Sequence, residues 1–171
     1  MTILRSSTEP DPNPPQQQVF VARGLGLNEI GGLRWAEIDF AARVIVLPPE
    51  RVKNNREHSV PLSSQAFAIL HSLSRRNATD LVFGFNDWHR ATQRLGQRAG
   101  ITDWHLHDLR RTCATGMAEL GIQPHIIEAV LNHVSGHKGG VAGVYNRATY
   151  GEPMRDALQR WADWLDQITA K

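Results

Sequence analysis

Beyond about residue 60, most of the chain repeats its apolar side chains at helical spacing, and this feature limits the possible folds more than any other. Phe67, Leu70 and Leu73 predict one such helix, which a serine at position 63 or 64 can cap. Capping residues, terminal glycines, a proline at a first helical position and apolar periodicity predict further helices over residues 87–100, 106–121, 124–132 and 154–168. The folded part of the chain should therefore be mostly helical.

A short β region precedes these helices. Residues 43–49, "RVIVLPP", are β-branched and end in a proline pair, which is typical of a strand. In the next segment, "RVKNNREHSVPL", Asn54 and Asn55 can adopt turn conformations that most residues resist. They predict a hairpin with Lys53 beside its tip. The expected fold class is therefore α+β, mostly helical with a small antiparallel β-sheet.

Length and composition limit the organisation of the chain. Its 171 residues suit one domain, and residues 1–18, which hold four of the nine prolines, predict a disordered arm before a domain over residues 19–171. A net charge of +2 does not by itself indicate a nucleic-acid partner. The single cysteine, Cys113, suits a reducing compartment, and no apolar run is long enough for a membrane span. We expect a soluble, cytoplasmic protein that makes no membrane contact.

A set of polar residues could carry chemistry. His107 and Arg110 are three apart in a predicted helix, so their side chains leave the same face and could hold one anionic group. Such a pair alone is more typical of a solvated surface or a core histidine. Its companions are Lys53 at the predicted hairpin, His133 after a helix and Tyr145 in a glycine-rich stretch. The value of the pair depends on these companions.

The order of these residues resembles the catalytic domain of the tyrosine recombinases, the phage integrase family. The segments that resemble its prophage-integrase branch are "GLRWAEIDF", "VKNNREHSVPLS", "LHDLRRTCATGMAELGI", "IIEAVLNHVSG" and "GVYNRATY". The resemblance covers roughly residues 19–171. It implies the recombinase catalytic fold and a double-stranded DNA partner.

The resemblance also implies a reaction and its residues. Tyr145 would attack the scissile phosphate, form a 3′-phosphotyrosyl link and release a 5′-hydroxyl, without a metal or other cofactor. Arg110 would bind the non-bridging oxygens, and His107 and His133 would bind the phosphate or move the nucleophile's proton. Lys53 would be the acid for the departing oxygen. Aiming preorganised cationic donors at a phosphate is a physically sound way to stabilise its developing charge.

One catalytic position of the family is degenerate. Where the family pattern has a second phosphate-binding arginine, "GLGLNE" has Gly26, and Arg23 would lie about 60° away around a helix. A phosphate-binding glycine loop is the weaker interpretation, because Glu29 stands where G-x-G-x-x-G needs its last glycine. We therefore expect a recombinase domain with severely reduced strand cleavage. Glu29 and Asp108 should cap or brace their catalytic neighbours.

Further cations should contact DNA phosphates. The resemblance also suggests that the last helix helps protomers associate. The five tryptophans are expected to be packing anchors. Because only the proline-rich arm precedes residue 19, DNA binding should be weak and should fall steeply with salt. The expected DNA-binding residues are Arg51, Arg56, Arg111, Lys138 and Arg147.

Three other functions stay open. One is a catalytically dead DNA-binding remnant or regulator of recombination sites, which Gly26 favours. Another is a zinc enzyme that uses some of the eight histidines, such as His133 and His137, although no acidic ligand recurs at matching spacing. The third is a helical interaction protein, which would leave the ordered polar motifs unexplained.

Overall fold

The structure is a computed structural model that describes residues 27–73, 77–83, 88–101, 103–133 and 150–169. Its helices are α1 (Leu27–Gly31), α2 (Ser64–Ser72), α3 (Trp88–Ala99), α4 (Leu106–Glu119), α5 (Pro124–Val130) and α6 (Gly151–Thr169). Its strands are β1 (Ile38–Asp39), β2 (Val44–Leu47) and β3 (His58–Pro61), and short 3-10 helices cover Trp35–Glu37 and Pro49–Arg51. The mostly helical α+β prediction is confirmed. The predicted arm of residues 1–18 lies outside the described residues.

The sheet has three antiparallel strands in the order β1-β2-β3. Ile45 pairs with Val60, and Leu47 pairs with His58. The side chains of Ile45, Leu47 and Val60 are fully buried in the core. Val44 and Val46 alternate with them and are only half-buried. This period-two alternation buries one face of the sheet against the helices.

Strands β2 and β3 form the predicted antiparallel hairpin, and the connection between them is long. The strands end at Leu47 and resume at His58, and the 3-10 helix Pro49–Arg51 fills part of the gap. Prolines 48 and 49 have no N–H to donate to a strand ladder, so pairing stops before them. The predicted turn is present at Asn55, whose φ is 52°. The Asn55 amide bonds the Val52 carbonyl at 2.9 Å, so Lys53 lies in the turn that connects the two strands, as the hairpin prediction has it.

Several helix ends follow the predicted local rules. Ser63 caps α2, where its hydroxyl accepts a hydrogen bond from the Ala66 amide at 3.3 Å. Pro124 is the first residue of α5. Gly121 follows α4 with a φ of 74°, and the Ile122 amide closes the turn on the Met117 carbonyl at 3.0 Å. The sequence therefore determines these ends locally.

The last helix packs on its own domain. Met154, Leu158 and Trp161 of α6 are buried, and α6 contacts β3, α4 and α5. The Trp161 ring lies directly against the backbone of Gly116 in α4. Trp35 and Trp161 are core residues, which confirms their predicted role as anchors. In the described ranges, no helix has both the length and the apolar character needed to cross a membrane.

Candidate active site

Helix α4 presents the first two candidate residues. Its start is capped by Asp108, whose carboxylate accepts a hydrogen bond from the His105 amide at 2.8 Å. His107 in the first turn is exposed, and Arg110 one turn later is half-buried. The capping role predicted for Asp108 is confirmed, and the cap fixes where the helix that carries His107 and Arg110 begins.

Arg110 connects α4 to the end of α5. Its guanidinium donates a hydrogen bond to the Leu131 carbonyl, one of the carbonyls that a helix end leaves without an intrahelical partner. Burial lowers the pKa of Arg110 below the ordinary arginine value, whereas attraction to Glu29 and Cys113 opposes that shift. Guanidinium groups in proteins keep their proton near neutrality. A partly desolvated cation of this kind is well suited to bind an oxyanion.

The end of α5 fixes the position of His133. Asn132 adopts a left-handed conformation with a φ of 50°, which asparagine tolerates better than most residues. The His133 amide donates to the Glu128 carbonyl at 2.9 Å and the Asn132 amide to the Ala129 carbonyl at 3.1 Å. These two bonds form a Schellman motif. They hold the backbone of His133, while its side chain is exposed.

The loop that carries Lys53 is bonded to this helix end. The side-chain nitrogen of Asn54, Nδ2, donates a hydrogen bond to the side-chain oxygen of Asn132, Oδ1, at 2.9 Å. The two residues are 78 positions apart in the sequence. Lys53 precedes Asn54 and His133 follows Asn132, so one hydrogen bond joins the two segments that carry these candidates. The Lys53 side chain is exposed. The structure thus brings the backbone segments of Lys53, Arg110 and His133 to one place.

Arg51 lies in a different environment from the one expected of a DNA contact. Its guanidinium forms an ion pair with Glu37, and it also donates to the Glu29 carbonyl of α1 at 2.9 Å. Its side chain is only 19% exposed, and that of Glu37 only 9%. Glu37 also accepts a hydrogen bond from the Arg34 amide at 2.8 Å. Arg51 therefore joins the Lys53 loop to the segment that begins at α1.

Of the other predicted site residues, two lie on the described surface and the rest lie outside the described residues. Arg56 and Arg111 are exposed, and Arg111 lies 3.7 Å from the Asp108 carboxylate. Tyr145 and the degenerate position Gly26 lie outside the described residues, as do Lys138 and Arg147. Gly26 directly precedes α1 in the sequence. Glu29 of α1 attracts the Arg110 guanidinium and so favours its charged form. This agrees with the bracing role predicted for Glu29.

Sequence reasoning missed the residues that hold the site together. Asn54 and Asn132 gave a turn signal and a helix-end signal, but neither signal indicates that the two side chains meet. Nothing in the sequence distinguishes Glu37 from the other acidic residues.

Helix α3 also has Arg90 and Arg94 on its exposed surface. Its strong amphipathic pattern could have indicated a basic face from the sequence.

The described residues contain no group of three His, Cys, Asp or Glu side chains arranged to hold a metal ion. His137, one of the two histidines considered for zinc, lies outside them. Cys113, one turn after Arg110, is fully buried. Burial raises the pKa of its thiol to about 12, against a smaller opposing effect of Arg110, so it is a poor nucleophile near neutrality.

Comparison with known proteins identifies the family of this chain. The phage integrase family model matches residues 17–151. The prophage integrase IntA of Escherichia coli K12 is 37% identical over 144 residues, which are 79% of this chain and 34% of IntA. The integrase of Shigella phage Sf6 is 32% identical over 152 residues, 84% of this chain and 39% of that protein.

Solved structures share the fold. The integrase from mycobacterium phage Brujita has a TM-score of 0.64 at 16% identity, over 92% of this chain and 60% of that one. The XerA recombinase has a TM-score of 0.56 at 19% identity, over 95% and 69%. The chain spans between a third and two fifths of the length of the two curated relatives named above. It belongs to the phage integrase family, the tyrosine recombinases, and has the fold of their catalytic domain.

Proposed function

We propose that this domain cuts and rejoins double-stranded DNA at specific sites through a 3′-phosphotyrosyl intermediate. Tyr145 attacks the scissile phosphorus, and a histidine, His107 or His133, assists by taking the phenol proton. The bond between phosphorus and the 5′-oxygen breaks, and Lys53 donates a proton to that oxygen. Rejoining is the reverse reaction with a new 5′-hydroxyl. No metal or other cofactor takes part in these steps.

The observation that supports the proposal best is the bonding around residues 131–133. Arg110 donates to the Leu131 carbonyl, and Asn54 bonds Asn132, so the segments of Arg110, Lys53 and His133 converge. A phosphodiester resists nucleophiles because it is anionic, and convergent cationic donors relieve that repulsion. The partly buried Arg110 supplies such a donor in a fork that matches two phosphate oxygens.

Cleavage is proposed to be slow, because Gly26 stands where the family pattern has an arginine. Removing one preorganised donor from a site of developing charge costs about 3–4 kcal/mol, or roughly 10²–10³ in rate. Restoring the guanidinium should recover a large part of that loss. The Gly26→Arg variant therefore tests both the alignment of this segment and the proposed reaction.

The test is covalent capture on a nicked DNA substrate that releases a short 5′-hydroxyl fragment and so traps the adduct. Gly26→Arg should raise the rate of adduct formation by about 10²-fold or more, whereas Gly26→Ala, which adds no donor, should not. Tyr145→Phe should abolish the adduct in either background. Adducts that persist in Tyr145→Phe, or equal rates for Gly26→Arg and Gly26→Ala, would contradict the proposal.

The second candidate, a DNA-binding module without catalysis, is favoured by Gly26 and differs in one outcome. It predicts no adduct in the natural chain but salt-dependent DNA binding. The cations proposed to contact phosphates are Arg56, Arg90, Arg94, Arg111, Lys138 and Arg147. Arg51 is left out because its guanidinium is engaged by Glu37 and the Glu29 carbonyl. Loss of one phosphate contact should reduce the slope of log affinity against log salt by about 1.

We also propose that protomers associate on DNA through the end of α6. Its first apolar residues are buried in the domain, but Trp164, Leu165 and Ile168 are only half-buried. This leaves a small apolar surface at the helix end for a second protomer. Sedimentation with and without target DNA should show association that Leu165→Glu weakens, and an unchanged assembly in that variant would contradict the idea.

A further inference from the structure

Lys53 lies between two residues that fix its loop to different parts of the domain. Arg51 bonds Glu37 and the Glu29 carbonyl on one side, and Asn54 bonds Asn132 on the other. We propose that the hydrogen bond between Asn54 and Asn132 is a positioning contact, which holds Lys53 in register with the His133 segment so that Lys53 can protonate the departing oxygen. The proposal rests on the proposed cleavage reaction and adds the coupling of two of its residues.

Both ends of the Asn54 side chain are used. Its nitrogen donates to Asn132 at 2.9 Å, and its oxygen accepts from the Arg56 amide at 3.1 Å. The Asn55 amide also bonds the Val52 carbonyl at 2.9 Å. The amide group therefore has a fixed orientation, and it links the tight turn around Lys53 to the neighbouring helix end. A solvated surface asparagine would not need such a two-ended arrangement.

The partner residue is equally constrained. Asn132 is the left-handed residue of the Schellman motif that ends α5, with a φ of 50°. The next amide, that of His133, closes this motif on the Glu128 carbonyl at 2.9 Å. A shift of the Lys53 loop would thus pull on the residue that sets the direction of the chain into His133. The two catalytic candidates are coupled through one amide pair.

Arg51 keeps the opposite side of the loop in place. Val52, between Arg51 and Lys53, is 3% exposed and belongs to the hydrophobic core. With Arg51 and Val52 held inside the domain, the remaining freedom of the exposed turn is limited by Asn54. Release of Asn54 should therefore loosen Lys53 without unfolding the sheet.

Proton donation requires the donor within hydrogen-bond reach of the departing oxygen. A misplacement of about 1 Å can cost roughly 10²-fold in rate. Loss of the bond from Asn54 to Asn132 should therefore slow the breaking of the phosphorus–oxygen bond. It should matter little when the leaving group departs without a proton.

The variant that removes the bond most cleanly is Asn132→Gly, because glycine adopts a φ of 50° without strain. The matched control is Asn55→Gly, since Asn55 has a φ of 52° in the same loop and is exposed. Both are measured in the full chain and in the Gly26→Arg background. The substrates are nicked DNA with either oxygen or sulfur at the bridging 5′ position of the scissile phosphate. With sulfur, the phosphorus–sulfur bond breaks and a thiolate leaves unprotonated.

We expect Asn132→Gly to slow adduct formation on the oxygen substrate by at least about tenfold and to leave the sulfur substrate within about twofold. Asn55→Gly should match the parent on both. Equal losses on the two substrates, or no loss on either, would overturn the positioning role. The natural chain and Gly26→Arg both failing to form adducts would instead overturn the proposed cleavage, and the role of the bond with it.

Amide hydrogen exchange tests the coupling of Asn54 to Asn132 separately from DNA cleavage, because it needs no DNA. The Arg56 amide, which bonds the Asn54 oxygen, should exchange faster in Asn132→Gly than in the parent, because Asn54 loses its second partner. The Arg56 amide should exchange at the parent rate in Asn132→Gly only if Asn54 and Asn132 are uncoupled. Unchanged exchange would therefore overturn the coupling even if cleavage itself is demonstrated.

Discussion

The contact between Gly116 and Trp161 predicts that Gly116→Ala destabilises the protein, although alanine ordinarily stabilises a helix relative to glycine. A Cβ built on Gly116 would lie 2.2 Å and 2.8 Å from two atoms of the Trp161 ring. Carbon atoms in favourable contact are about 3.5–4.0 Å apart, so the ring or the helix must move by more than about 1 Å. Trp161 is fully buried and stacks on Trp164, with ring centroids 5.1 Å apart. The ring therefore has little room to retreat.

Two opposing effects set the magnitude for Gly116→Ala. Alanine in a helix interior is ordinarily more stable than glycine by roughly 0.5–1 kcal/mol. Overpacking a well-packed core typically costs about 1–3 kcal/mol, and the separation here is far inside contact distance. The clash should outweigh the helix propensity. We expect a net loss of about 1–2 kcal/mol in the free energy of unfolding.

Urea denaturation followed by circular dichroism measures this loss. With a slope of about 2 kcal/mol per molar urea, the midpoint should fall by roughly 0.5–1 M. The control is Gly151→Ala at the start of α6, where an added Cβ meets nothing within 4 Å, so its midpoint should stay or rise slightly. Trp161→Phe, which has a smaller ring, should reduce the cost of Gly116→Ala in a double-mutant cycle. A Gly116→Ala midpoint at or above the parent would refute the reasoning.

Two further predictions concern single groups. Because burial raises the Cys113 thiol pKa from 9.0 to about 12, a thiol reagent at pH 8 should label the native protein far more slowly than the urea-unfolded protein. The same shift stabilises the fold below pH 9.0, and that contribution is lost as the pH rises towards 12, so Cys113→Ala should flatten the alkaline decline in stability. Ser63→Ala removes the cap of α2 and should cost about 1 kcal/mol in urea denaturation, whereas the exposed Ser72→Ala should cost less.

The sequence predicted those features that depend on neighbouring residues. The cap at Ser63, the left-handed glycine at position 121 and the first position of Pro124 each follow from contacts within a few residues. The β-branched segment after Arg43 predicted β2, and the asparagine pair predicted the turn at Asn55. Local rules did not specify the 3-10 helix Pro49–Arg51 that lengthens the connection to β3.

The links between distant segments were beyond such reasoning. Arg51 looks in the sequence like any other cation near a turn, and only the fold places it beside Glu37. Asn54 and Asn132 are 78 positions apart, and nothing local to either residue specifies the other. The candidate residues Lys53, Arg110 and His133 were found by order and resemblance. The contacts that hold their segments together required the structure.

The electrostatics around Arg110 bear on the proposed loss of an arginine at position 26. Glu29 attracts Arg110, while burial of the guanidinium works against its charged form. In the family pattern a second arginine would stand three residues before this glutamate, at position 26, where it could share the acid's field. On the proposed alignment, glycine at position 26 would leave one guanidinium fewer near Glu29, so more of its attraction would fall on Arg110 and offset the charge that a phosphate meets. The cost of Gly26 should therefore exceed the loss of one hydrogen-bond donor, since it also weakens the donor that remains.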